Sequence, residues 1–496
     1  MGKAMETLNH TLERAMALKT AMILFEWDNE TLAPQAAGSY TSRVIGALSE
    51  EYFRLITSDM VKEQLQQCQK EDLDEVQKGI LRELAEELER LESIPRQEYR
   101  EFSQLTSEAT RIWARARKEQ DFDLFAPALK KLVEFQRKFA SYRAKDGQPL
   151  YDVLLNDYEK GFDMKTLDRF FQELKEELVP LIQKVAPLAK QVEADFLTGD
   201  YPEDKQEKLA RFLAEYVGFD FEKGILAVSA HPFTTNLHNH DVRITTHYED
   251  KVDSSIFSVI HEAGHGIYEM GVRDDLTQTL VGEGASMGMH ESQSRFFENI
   301  IGRNRAFWVP IYGKLQEWFP EQLGDIDLDR FIRSVNRPQP GLIRIEADEL
   351  TYSLHIMIRY ELEKQLIQGE IQVEDLPELW ADKYEEYLGL RPANVAEGVL
   401  QDIHWSQGSF GYFPSYALGS AFGAQIYAHM KQEMDVDGLL EQGRVDMIRE
   451  YLREHIHQYG KLKSSRQILK DMTGEDFDPK YYVEYLKEKY QRFFTI

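Results

Sequence analysis

Of the 496 residues only one, Cys68, is a cysteine. No intrachain disulfide can form, and a metal site built on several thiolates is excluded. The cytoplasm is the simplest compartment for such a chain. Nowhere does the sequence run for about 18 consecutive apolar residues, so no transmembrane helix is expected. Basic charge is scarce: 59 Lys and Arg face 86 Asp and Glu, a net charge of −27. That field repels phosphate backbones and anionic surfaces, which argues against nucleic acid and membranes as partners. Low-complexity linkers and internal repeats, which would mark separable domains, are missing too. The opening MGKAMETLNHTLERAMALKTAM lacks the zones of a signal peptide and reads as an amphipathic helix. Glu6 stands where a myristoylation signal needs Ser or Thr.

What is present is material for a large core. With 42% hydrophobic and 29% charged residues, the chain suits a globular rather than a disordered state. EVQKGILRELAEELERLE aligns Val76, Ile80, Leu81, Leu84 and Leu88 on one stripe, the mark of an amphipathic helix. LDRFFQELKEELVPLIQKVAPLAKQVEADFL reads the same way, with Pro180 and Pro187 expected to bend or break it. The expectation is a mostly α fold, one large helical architecture over residues 1–496. It has a helical N-terminal part (1–225), a region for metal and substrate (226–425) and C-terminal helices (426–496). One region breaks the pattern. In AVSAHPFTTNLHNHDVRITTHYED, a polar turn at Asn239-His240 precedes the alternating Val242, Ile244 and Thr246. That predicts a hairpin or small β-sheet just ahead of the next helix, and a strand edge on which an extended peptide can lie.

The next helix carries His261-Glu262-Ala263-Gly264-His265, with Asp253, Ser254 or Ser255 as candidate caps. Histidines four apart share a helical face and can aim two imidazole nitrogens at one ion. Glu262 lies one residue round, placed to act as a general base on water rather than as a ligand. Such a helix needs a third ligand from elsewhere. In GASMGMHESQSRFFENIIGRN, Ser286 opens a second helix ending near Gly302, with Glu291 about a turn in. Glu291 is the choice for the third ligand, and its neighbour His290 is the runner-up.

A series of short motifs in order around and beyond this pentapeptide resembles the carboxypeptidase Taq family of zinc metallocarboxypeptidases. They are His231-Pro232-Phe233, DVRIT (Asp241–Thr245), HEAGH (His261–His265), HESQ (His290–Gln293), IRIEAD (Ile343–Asp348) and GVLQDIHW (Gly398–Trp405). FEWDNETLAP, with Trp27 and Asp28, is also similar to the family. The resemblance implies a nearly all-α fold with a deep active-site groove over the metal. It also implies a homodimer, release of single residues from peptides with a free C-terminus, and zinc on His261, His265 and Glu291. His-His-Glu ligation also admits Co²⁺ or Mn²⁺.

Other roles follow from chemistry read beside that resemblance. An exopeptidase must grip a free α-carboxylate, and a guanidinium fork is suited to it. Arg344 is the first candidate, with Asp348 four residues on as its expected ion-pair partner, and Arg243 is the second. An oxyanion needs a donor. Tyr412 is the first choice and His404 the second, with Tyr416 nearby in a loop made adaptable by Gly408 and Gly411. His231 is a candidate substrate contact, and Asp241 a candidate to orient a metal histidine or bind substrate. Two rival readings stand beside the carboxypeptidase. One is a zinc oligoendopeptidase lacking a carboxylate anchor, and the other is a non-catalytic scaffold stabilised by zinc.

Overall fold

The computed structural model describes residues 2–495, and backbone contacts group them into two compact units. Helices dominate both, and the described residues contain one sheet, of three strands. No helix among them is long and apolar enough to cross a membrane.

The first unit gathers the described residues through Glu92, Ala194–Ile332 and His429–Gly474. Helix Glu75–Glu92 forms as its periodicity predicts. Ile80, Leu81, Leu84 and Leu88 join Leu8 and Leu12 of helix Lys3–Thr31, and Cys68, in one cluster. A side chain such as Leu84, fully buried there, contributes roughly 2 kcal/mol through removal of its surface from water. Cys68 is free and buried, so it acts as a small apolar side chain.

At the centre of this unit is helix Val252–Met270, the metal helix. It is buried on nearly every side, by helix Glu203–Val217, the sheet, helix Met287–Arg295 and a π-helical turn, Phe296–Ile301. Two glycines permit that crowding. A Cβ on Gly264 would stand 2.8 Å from Gln293 O and Ser294 Cα, so helix Met287–Arg295 lies directly against its backbone. A Cβ on Gly266 would meet the Phe219 ring at 2.7 Å. No side chain caps this helix: Lys251 is the N-cap, whereas Ser254 Oγ pairs with His247 and Ser255 Oγ donates to Gln206 and Val252 O. Neighbouring elements thus take the hydroxyls that the sequence offered as caps. Ser286, by contrast, caps helix Met287–Arg295 by accepting from Met289 N at 3.0 Å.

Strands β1 (Gly224–Val228), β2 (Thr234–His238) and β3 (Asp241–Thr246) lie in the order β1-β3-β2. β1 runs parallel to β3, and β2 and β3 form the expected hairpin across Asn239-His240. Val242 and Ile244 are fully buried, and both β2 and β3 pack on the metal helix.

The second unit comprises Ser93–Glu193, Arg333–Ala428 and the described residues from Glu475 on. Its core helix, Glu349–Gln368, is buried nearly all round and packs on helices Met164–Ala189, Leu376–Leu388, Ala126–Arg143 and Leu150–Asn156. Helix Met164–Ala189 continues unbroken through Pro180 and Pro187, which the sequence suggested would bend or break it. Burial of Leu174, Leu178, Leu181, Ile182 and Val185 along one face outweighs the backbone bonds the prolines cannot make.

Candidate active site

Two groups of polar side chains answer to the residues singled out in the sequence, one in each unit. In the first, His261 and His265 stand with ring centroids 4.9 Å apart. Glu291 Oε2 lies 3.7 Å from His261 Nε2 and 3.6 Å from His265 Nε2. Tetrahedral ligands about 2 Å from a divalent ion are separated by roughly 3.3 Å, so these three donors fit one. No other set of three such side chains among the described residues converges in this way.

Each donor is held from behind. His261 Nδ1 pairs with Glu298 Oε2 at 2.8 Å, and Arg295 Nε donates to Glu291 Oε1 at 2.8 Å. His265 Nδ1 meets His290 Nδ1 at 2.6 Å, and His290 Nε2 meets Glu269 Oε1 at 2.7 Å. Asn236 Nδ2 and Gly284 N also donate to Glu269. Fixing both Nδ1 atoms leaves both Nε2 atoms for a metal. His290, the runner-up ligand, thus supports a ligand instead. Burial opposes charge on His261, but Glu291 and Glu298 outweigh it and raise its pKa. His265 is pushed by burial down to about 3, which keeps its ring neutral and able to ligate. Glu291 stays ionised well below the usual range: burial opposes this, and Arg295 and His261 overcome it.

Glu262 is buried beside this set. Thr234 Oγ1, on β2, donates to its Oε2 at 2.6 Å, and burial raises the carboxyl pKa above the ordinary value. Arg243 and Asp241 close on each other through two 2.8 Å bonds, and Arg243 lies 4.8 Å from the Trp27 ring centroid. The expectation that Asp241 orients a metal histidine is therefore wrong. Its carboxylate is taken by Arg243, and Glu298 and His290 fill the places behind the histidines. His231 is exposed, and its carbonyl accepts from Ser229 Oγ.

In the second unit Arg344 is buried and gripped by Asp402, with Nε 3.2 Å from both carboxylate oxygens and Nη2 at 2.8 Å from Oδ1. The predicted partner, Asp348, instead caps helix Glu349–Gln368 by accepting from Leu350 N and Thr351 N. Arg344 sits in a short 3₁₀ turn rather than on that helix, so spacing by four brings nothing together. The guanidinium lies 5.1 Å from the Tyr416 ring and 5.2 Å from the Phe413 ring. His404 stacks on Tyr412 at 5.6 Å, and Tyr412 meets Tyr416 edge-on at 5.1 Å. Burial and the nearby Arg359 push His404 down to about 3, so its ring is neutral. The loop carrying these groups is tied to Glu363, fully buried, which accepts from Trp405 Nε1 at 2.7 Å, Tyr151 Oη at 2.9 Å and Gly411 N.

Glu298, Glu269 and Asp402 were missed from sequence. The first two had a signal: Glu269 is four residues beyond His265, and Glu298 is two turns beyond Glu291. Asp402 stands in the motif GVLQDIHW, but 58 residues from Arg344 nothing in the spacing linked the two.

Comparison with known proteins gives the family. The family model for carboxypeptidase Taq (M32) metallopeptidase matches residues 7–490. Carboxypeptidase 1 of Bacillus subtilis is 43% identical over 98% of this chain and 97% of its own. Thermostable carboxypeptidase 1 of Thermus thermophilus is 36% identical over 94% of each. The crystal structure of an M32 carboxypeptidase from Deinococcus radiodurans superposes with a TM-score of 0.97 at 31% identity, covering all of both chains. A match along nearly the whole sequence and a shared fold together mean that the chain, which carries a converging His-His-Glu set, belongs to the carboxypeptidase Taq (M32) family of metallopeptidases and is a metallocarboxypeptidase.

Proposed function

We propose that the protein removes single residues from the C-terminus of peptides, with zinc on His261, His265 and Glu291 and with Glu262 as general base. The convergence of three donors within 4.8 Å of one another, beside a buried carboxylate, carries the reading. Two imidazoles and one carboxylate suit Zn²⁺, and they admit Co²⁺ or Mn²⁺. When bound, the ion supplies Lewis acidity to water and to the scissile carbonyl.

The protein's own groups do the rest. Thr234 holds Glu262 through Oε2, which leaves Oε1 to take a proton from the attacking water and return it to the leaving amine. Burial raises the Glu262 pKa toward the range where both transfers are practical. Asp402 occupies Nε and one N–H of Nη2 on Arg344. The Nη1/Nη2 edge carries only a long 3.5 Å contact to Tyr352 and is free to pair bidentately with an α-carboxylate. Tyr412 is the proposed oxyanion donor. His404, neutral and with Nδ1 unpartnered among the described residues, is second. His231 and Tyr416 are further proposed substrate contacts. A homodimer rests on the resemblance, and a cytoplasmic setting on the single buried cysteine.

Product mass spectrometry on one peptide with a free C-terminus and the same peptide amidated tests the reading. Stepwise loss of C-terminal residues from the first alone is expected. Internal cleavage of both would replace the proposal with an endopeptidase. Glu262→Gln should keep metal and lose about 10²- to 10⁴-fold in turnover.

A further inference from the structure

A cavity of about 550 Å³ opens within the first unit against the metal helix, in the usual size range of small-molecule sites. It lies behind the ligands. At 3.6 residues per turn, Ile267, Met270 and Gly271 stand roughly 180–280° round the helix from His261, while His265 is about 40° away. Phe219, Phe221, Ile267 and Met270 give the cavity an apolar wall.

Its polar groups carry both signs. Arg449 is held by a single bond from Nη1 to Gly218 O at 3.2 Å. Gly218, at φ +108°, has no Cβ to collide with the guanidinium. Arg211 lies 4.0 Å over the Phe221 ring, and Lys223 stands nearby. Glu215, Glu222 and Asp220 supply carboxylates at the rim; Arg453 adds a cation that is paired with Glu450, and Lys223 also acts on Asp274. The helices Glu203–Val217 and Val252–Met270 both end here, at Gly218 and Gly271, and add partial negative charge.

At the inner edge is His457, fully buried. Its Nε2 pairs with Gln293 Oε1 at 2.8 Å, and its Nδ1 has no partner among the described residues. Burial and the neighbouring Arg453 push its pKa down to about 3, so the ring is neutral. Its Nδ1 lies beside Gly271 with no surface open to the cavity, so the ring closes the inner end as a neutral wall.

We propose that this cavity binds a free α-amino acid with an apolar side chain. The carboxylate pairs with Arg449 and Lys223. The ammonium pairs with Glu215 and the helix ends, and the side chain lies on the Phe219–Met270 wall. An anion alone makes no use of the carboxylates and helix ends, and a cation alone makes no use of Arg449 and Lys223. Only a zwitterion uses both sets. Free amino acids are also the product class of the proposed reaction, but binding here does not depend on that reading.

The test is made on metal-loaded enzyme with ¹³C-methyl methionine, reading the Met270 resonance assigned through Met270→Leu. Titration with L-leucine should move that resonance to saturation. 4-Methylpentanoate and 3-methylbutylamine, each keeping one charge, should bind at least about tenfold more weakly, as should L-leucine to Arg449→Gln. Glu215→Gln, whose exposed side chain supports no other element, serves as the second variant and should also weaken binding. The proposal is overturned if Met270 does not respond saturably, if 4-methylpentanoate binds as well as L-leucine, or if both variants bind as wild type does. Because the readout is local and independent of turnover, failure here leaves the carboxypeptidase reading intact.

Discussion

Gly264→Ala probes the link between helix packing and metal binding. The added Cβ would stand 2.8 Å from Gln293 O and Ser294 Cα. Ordinary contact needs about 3.5 Å, so the two backbones must part by roughly 0.7 Å. Neither neighbour is the end of a flexible side chain, so no rotamer change relieves the clash. Overpacking of this kind costs about 1–3 kcal/mol. The same displacement moves Glu291, on helix Met287–Arg295, away from His261 and His265 on the metal helix. Metal–ligand distances tolerate only about 0.2 Å, so affinity should fall by an amount comparable to losing a supporting partner, about 10- to 100-fold. Urea unfolding of the metal-free protein reads the first effect, and competition with a chromophoric chelator reads the second. Gly46→Ala is the control. Gly46 lies within helix Gly38–Ile56 with no atom within 4 Å of the added Cβ, and should gain about 0.5–1 kcal/mol. Wild-type metal affinity in a folded Gly264→Ala protein would refute the claim that this close approach sets the ligand geometry.

Three further outcomes follow from the same contacts. Glu298→Gln removes the charge behind His261 Nδ1 and should weaken metal binding by about tenfold, measured with the same chelator, while the fold persists by circular dichroism. Asp402→Asn leaves Arg344 less firmly oriented, so KM for unblocked peptides should rise more than kcat falls; an unchanged KM would detach Arg344 from the substrate carboxylate. Glu283 is bound by Lys461 at 2.8 Å and by Lys19. Burial alone would raise its pKa, but Lys461 and then Lys19 outweigh it and hold it below the ordinary 4.5. Its folded pKa is depressed, so its stabilisation is fully present above about pH 4.5 and lost as pH falls further. Unfolding of wild type and Glu283→Gln across that range should show the difference shrinking on the acid side.

Legibility differed by the kind of contact. The β2–β3 hairpin could be read because alternation at Val242 and Ile244 and the Asn239-His240 turn are local signals. The caps divided: Ser286 serves its own helix, whereas Ser254 and Ser255 are claimed by His247 and Gln206, which sequence proximity does not reveal. Pro180 and Pro187 do not break their helix, because packing along it outweighs local propensity.

By itself the sequence determined the helical character, the pair of histidines with Glu262 between them, and the family. Each depends on spacing within one element or on a chain of short motifs, and helical periodicity turns such spacing directly into geometry. Tertiary structure alone decided which charge answers which. Asp402 rather than Asp348 holds Arg344, Arg243 rather than a metal histidine takes Asp241, and His290 supports His265 instead of binding metal. The Arg344–Asp402 and His265–His290 pairings join different elements, brought together by glycine contacts and core burial that no local period encodes, whereas Asp241 and Arg243 stand two apart on one face of β3.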